Sequence, residues 1–157
     1  MLSSYKASAP ELEASYFASA LLMPEHLFAS RISSTIPTAE VLTSLAQDFN
    51  TSLTAAAVRY VDLREDYCAL VVSEAGKVRW WRESNDFKGQ FWLDPGTKLS
   101  QYTIAGSIFN GNQPPGRPER VDLSAWLPET SLDSDVIVEE AIWMPRYGQV
   151  LSMLWLP

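Results

Sequence analysis

The chain has 157 residues, 46% hydrophobic and 20% charged, a balance that supports a buried core and argues against intrinsic disorder. Lys plus Arg number 12 against 19 Asp plus Glu, and the resulting formal charge of −7 opposes non-specific attraction to nucleic-acid phosphates. One cysteine, Cys68, and one histidine, His26, cannot build a disulfide framework or a Cys/His metal cage, and a reducing, cytoplasmic compartment is the simplest expectation.

Near the start, Ala14, Phe17, Ala18 and Leu21 recur at i, i+3, i+4, i+7, and Leu22 widens the stripe. The spacing predicts an amphipathic helix from about Pro10 to Met23 whose stripe packs into the core. This nearly apolar run, Ala14 to Met23, is about half the ~20 residues that a bilayer span needs, and it follows two glutamates, so neither a membrane anchor nor a signal peptide is expected. Pro24 opens a second short helix through His26 and Phe28. Residues 33–37 read as a linker, after which Thr38, with Glu40 behind it, caps a helix to about Phe49. Asn50 and Thr51 interrupt, and Ser52 caps a further helix carrying Leu53, Ala56, Ala57 and Tyr60 and ending near Arg64.

From Tyr67 the period changes to two. Tyr67 to Ser73 and Lys77 to Arg82 form a predicted hairpin about Glu74, Ala75 and Gly76. Asp94-Pro95-Gly96 is a turn, Tyr102 to Phe109 a candidate strand, Asn110 to Arg120 an irregular surface loop, and Val121 to Leu127 a shorter candidate strand. Val136 to Met144 and Val150 to Leu156 carry the clearest β pattern and should pair antiparallel. The fold class expected is α+β, with helices in residues 1–66 and a mostly antiparallel, β-rich domain in residues 67–157.

The run Glu11-Leu12-Glu13-Ala14-Ser15-Tyr16-Phe17-Ala18-Ser19-Ala20-Leu21-Leu22-Met23-Pro24 resembles the signature E-x-x-A-[ND]-x-F-A-x-x-L-L-M-P of the ImmA/IrrE zinc metallo-endopeptidases. Weaker likenesses follow in Val41-Leu42, Leu45-Ala46, Phe49, Ser52, Ala56 and Arg59, and again from Glu139-Glu140 to Leu156. In that family an H-E-x-x-H helix supplies two zinc ligands and a general base. This sequence has no H-E-x-x-H, so the resemblance covers the part downstream of the family's catalytic helix. By motif register Glu11 takes the place of the third zinc ligand, and Ser15 the place of the Asn or Asp that would orient a ligating histidine. A hydroxyl is a shorter and weaker partner for that role.

The resemblance implies the C-terminal part of a peptidase, either truncated of its catalytic helix, the reading favoured, or a degenerate member that keeps the accessory parts without that helix. The complete protein would use zinc to cleave a transcriptional repressor in stress response or mobile-element control. Glu11 alone cannot hold a catalytic zinc, so this chain by itself should bind zinc weakly and hydrolyse nothing. The β-rich part would resemble the GAF-like sensor domain of IrrE-type proteins, by fold analogy alone. An alternative is a stand-alone module that senses a ligand or binds a protein. A third reading makes Thr38 to Leu63 a helix-turn-helix, but between Thr38 and Asp66 Glu40, Asp48, Asp62, Glu65 and Asp66 outnumber Arg59 and Arg64, whereas a groove reader needs a basic face.

Among the remaining candidates, His26 reads as a partly exposed helix residue and Cys68 as a small buried hydrophobe. Trp80 and Trp81 must point to opposite faces of a strand, leaving at least one for solvent, a loop or a partner. Asp133, Asp135, Glu139 and Glu140 read as turn residues and a solvent face.

Overall fold

The computed structural model describes residues 9–157, apart from the side chains of Ala9, Glu11 and Leu12. Four helices come first: α1 (Ala9–Leu22), α2 (Glu25–Ile32), α3 (Ala39–Asp48) and α4 (Leu53–Asp62). Strands β1 (Cys68–Glu74) and β2 (Lys77–Glu83) follow, then α5 (Ile104–Phe109), β3 (Glu119–Asp122), α6 (Leu123–Trp126), β4 (Val136–Met144) and β5 (Gln149–Trp155). The five strands form one antiparallel sheet in the order β2-β1-β5-β4-β3, so the architecture is α+β, helices first and sheet second.

Local chemistry explains the helix boundaries in the first half. The Thr38 hydroxyl accepts from the Val41 amide at 3.3 Å, and Ser52 accepts from the Ala55 amide at 3.1 Å, so each satisfies an N–H that its helix leaves unpaired. The linker at residues 33–37 is pinned from α4 and the segment after it. The Tyr60 hydroxyl donates to the Thr35 carbonyl at 2.8 Å, and Arg64 Nη1 donates to the Ile32 carbonyl at 2.7 Å. In the β1–β2 turn, Ala75 and Gly76 both take left-handed backbone, φ 50° and 73°, the geometry of a tight hairpin turn that matches strand twist.

The sheet is covered on both faces, which is why its central strands read as continuous apolar runs rather than as an alternation. Along β1 and β5, Cys68, Leu70, Leu151, Met153 and Trp155 face the layer made by α2, α3 and α4. Ala69, Val71, Val150 and Leu154 face the opposite layer, built from α5, α6 and the segment carrying Phe87, Phe91, Leu93 and Leu99. Trp80 and Trp81 do point to opposite faces, yet both are half-buried. Trp80 packs on the first core, and Trp81 packs on the second with its indole N–H donating to the Leu93 carbonyl at 2.6 Å.

Three sequence expectations are corrected. The segment 102–109 is a turn leading into a short helix, α5, instead of a strand. The Thr103 hydroxyl accepts from the Gly106 amide at 2.9 Å, and a distant carboxylate, that of Glu139, takes the Ile104 and Ala105 amides. The segment from Val121 to Leu127 is half strand and half helix, because the Asp122 carboxylate accepts from the Ser124 amide at 2.8 Å and starts α6. The stripe of α1 is not core. Phe17 is 65% exposed, Leu21 64% and Leu22 58%, and Ala14 and Ala18 are also exposed. The helix meets the rest of the fold at its C-terminal end, through half-buried Ser19 and Ala20 and through Met23, which enters the first core.

Candidate functional site

The residues singled out by motif sit on α1. Glu11 lies in its first turns, with its side chain outside the described residues. Ser15, one turn on, is exposed and lines a groove of about 620 Å³ between α1 and α4. Ala18, Ser19 and Leu22 line it from α1, Ala55 and Val58 from α4, and Trp80 from β2. Its lining is largely apolar.

The described residues do not assemble a metal centre. They contain no group of three His, Cys, Asp or Glu placed to share an ion. His26 is exposed on α2, and Cys68 is buried on β1, where burial first and the nearby Asp66 charge second push its thiol up to about 12. A thiol held protonated is a poor metal ligand and a poor nucleophile. The donor set therefore does not fit a catalytic zinc on this chain's described residues.

The sheet holds two functional-looking carboxylates that sequence reasoning misassigned. Glu139 and Glu140 are not a solvent face: they are 0% and 6% exposed. Adjacent on β4, they leave the strand on opposite sides. Glu139 enters the second core. Its Oε2 accepts from the Ile104 amide at 2.8 Å and the Trp126 indole N–H at 2.9 Å, and its Oε1 accepts from the Ala105 amide at 2.9 Å and the Ser152 hydroxyl at 3.2 Å. Glu140 faces the other layer, where its Oε2 accepts from the Ala39 amide at 2.7 Å at the start of α3. Burial raises both carboxyls above the ordinary glutamate range, while the donors around them pull the other way. With every lone-pair direction of Glu139 engaged, its role is to hold the ends of α5 and α6 against the sheet. Asp133 and Asp135 are exposed, as turn residues should be.

Arg59, missed as a site residue, is 3% exposed on α4, and its Nε donates to the Met23 carbonyl at 3.2 Å, just beyond the end of α1. The contact ties α1 to α4 at one end of the groove. No helix among the described residues is long and apolar enough to cross a membrane.

Residues 2–60 match the family model Peptidase_M78, described as the IrrE N-terminal-like domain. No curated protein matches the chain. The match spans α1, where the E-x-x-A-x-x-F-A-x-x-L-L-M-P pattern lies, and runs through α2 and α3 to the Tyr60 turn of α4. Over this segment the chain is similar to the IrrE N-terminal-like domain, which supports a relationship to the ImmA/IrrE metallopeptidases.

Proposed function

We propose that residues 1–66 correspond to the part of an ImmA/IrrE-type zinc metallo-endopeptidase that follows its catalytic helix, and that residues 67–157 form an accessory β-rich domain. The observation that supports this most directly is the uncovered apolar side of α1. A helix bearing Phe17, Leu21 and Leu22 in solvent leaves a large hydrophobic area unpartnered, as expected of a helix whose neighbour belongs to the same peptidase domain. In this reading Glu11 is the third zinc ligand, Ser15 stands in the place of a ligand-orienting side chain, and an H-E-x-x-H segment supplies the rest. Zinc held there would activate a water for peptide hydrolysis.

The complete protein would act on a transcriptional repressor, with the sheet domain contributing substrate docking or GAF-like sensing, and would work in the cytoplasm. This chain alone would carry out no cleavage. The test is zinc content measured on the 157-residue chain and on a form extended at its N-terminus through an in-frame H-E-x-x-H. The 157-residue chain is expected to carry far less than stoichiometric zinc, and the extended form to take up stoichiometric zinc and lose most of it on Glu11→Gln. Zinc in the extended form that is indifferent to Glu11→Gln, or an upstream reading frame with no such motif, would overturn the assignment.

A further inference from the structure

A second pocket, of about 350 Å³, opens where α1 and α4 meet the end of β2 and the turn after it. Its floor is Arg59. The side chain is almost fully enclosed, and its Nε is used on the Met23 carbonyl. Nη1 and Nη2 have no hydrogen-bond partner among the described residues, yet they are not sealed from the pocket space. A guanidinium so held by its Nε, with its outer donors opening only into the pocket, is positioned to receive an oxyanion there.

The remaining charges define which anion. Asp62 and Arg82 neutralise each other through contacts of 2.6 and 3.1 Å. Lys88, on the rim, donates to Asn85 Oδ1 at 2.7 Å and keeps two donors free for a ligand. Glu83 lines the same pocket, so among the described lining residues Arg59 and Lys88 together exceed the unpaired acid by a single positive charge. That balance suits a monoanion, and the Arg59 fork matches the two oxygens of a carboxylate. Tyr16, 64% exposed on α1, sets an aromatic ring at the mouth for the body of the ligand.

We propose that this pocket binds a small carboxylic acid, its carboxylate held by the Arg59 guanidinium and the Lys88 ammonium. The proposal does not depend on the peptidase reading.

The full chain is titrated with acetate, benzoate and inorganic phosphate at constant ionic strength, by calorimetry and by amide chemical shifts. Saturable binding of a carboxylate is expected, with affinity reduced about tenfold in Lys88→Ala, the loss of one charge-assisted hydrogen bond, and abolished in Arg59→Gln. Lys88 is exposed, so its variant decides the matter even if Arg59→Gln fails to fold. Lys77→Ala, an equal change of charge outside the pocket, should bind as the parent does. No saturable binding, phosphate binding in place of both carboxylates, or equal weakening in Lys88→Ala and Lys77→Ala would each overturn the proposal.

Discussion

Glu139 shows how one side chain organises a layer. Its two oxygens receive four donors, two from the start of α5, one from Trp126 and one from Ser152. Replacing it by Gln keeps the shape but turns one acceptor into an NH₂ group facing two of those donors. Glu139→Gln should therefore cost about 3 kcal/mol of stability, measured by urea denaturation, although it removes a buried charge. The pH dependence follows from the raised carboxyl. The folded state holds this proton more tightly than the unfolded chain, so the contribution of Glu139 is complete below the ordinary value of 4.5 and is lost as pH rises through the higher folded value. Glu140 acts in the same direction. Asp66, lowered mainly by its hydrogen bond with Arg64, acts oppositely, and its stabilisation is lost as pH falls below 3.8. Unfolding free energy followed upward from pH 4.5 should decline less steeply in Glu139→Gln than in the parent. The sequence hides this role because it shows two acids in a strand and not the helix ends that reach them from 35 residues earlier in one case and 101 in the other.

Among the elements, α5 is held by close packing as well as by caps. A Cβ added to Gly106 would lie 2.0 Å from the Ser100 carbonyl oxygen, a backbone atom that cannot swing aside. Gly106→Ala should destabilise by about 2–3 kcal/mol and lower the melting temperature by roughly 5–10 °C. The helices α3 and α4 were legible because Thr38 and Ser52 sit immediately before them and satisfy amides three residues away. The β4–β5 hairpin was legible because its two runs of β-branched and aromatic residues, parted by Pro145 to Gly148, are a property of its own residues. The segment at 102–109 was not, since Tyr102, Ile104, Ile108 and Phe109 mimic a strand and part of its cap comes from Glu139. For α1 the periodicity was right and the environment was not: spacing defines an apolar stripe without saying what covers it. Phe17→Ser and Leu21→Ser should accordingly change stability by no more than about 0.5 kcal/mol in thermal melts of this chain. The motif on the same helix places Glu11 and Ser15, but neither its zinc nor its neighbours can be read from this chain's residues.

On the scale of the whole molecule, the first core draws on both halves of the sequence. Leu42, Leu45, Ala57 and Tyr60 from the helices share it with Leu70, Leu151 and Met153 from the sheet. Melting is therefore expected to be a single transition, with far-UV circular dichroism and tryptophan fluorescence giving coincident curves; two separated transitions would show that the halves are stable apart. Leu151→Ala, at the centre of the shared core, should lower that transition by about 2–5 kcal/mol. The paired acids of β4 bind these layers into one mechanical system. Glu139 grips one layer and Glu140 the other, and a strand's side chains alternate strictly, so deleting a single residue between them and the hairpin would turn each carboxylate toward the wrong layer. Both clasps would open together, and an insertion tolerated in the loop before the strand would be ruinous a few positions later.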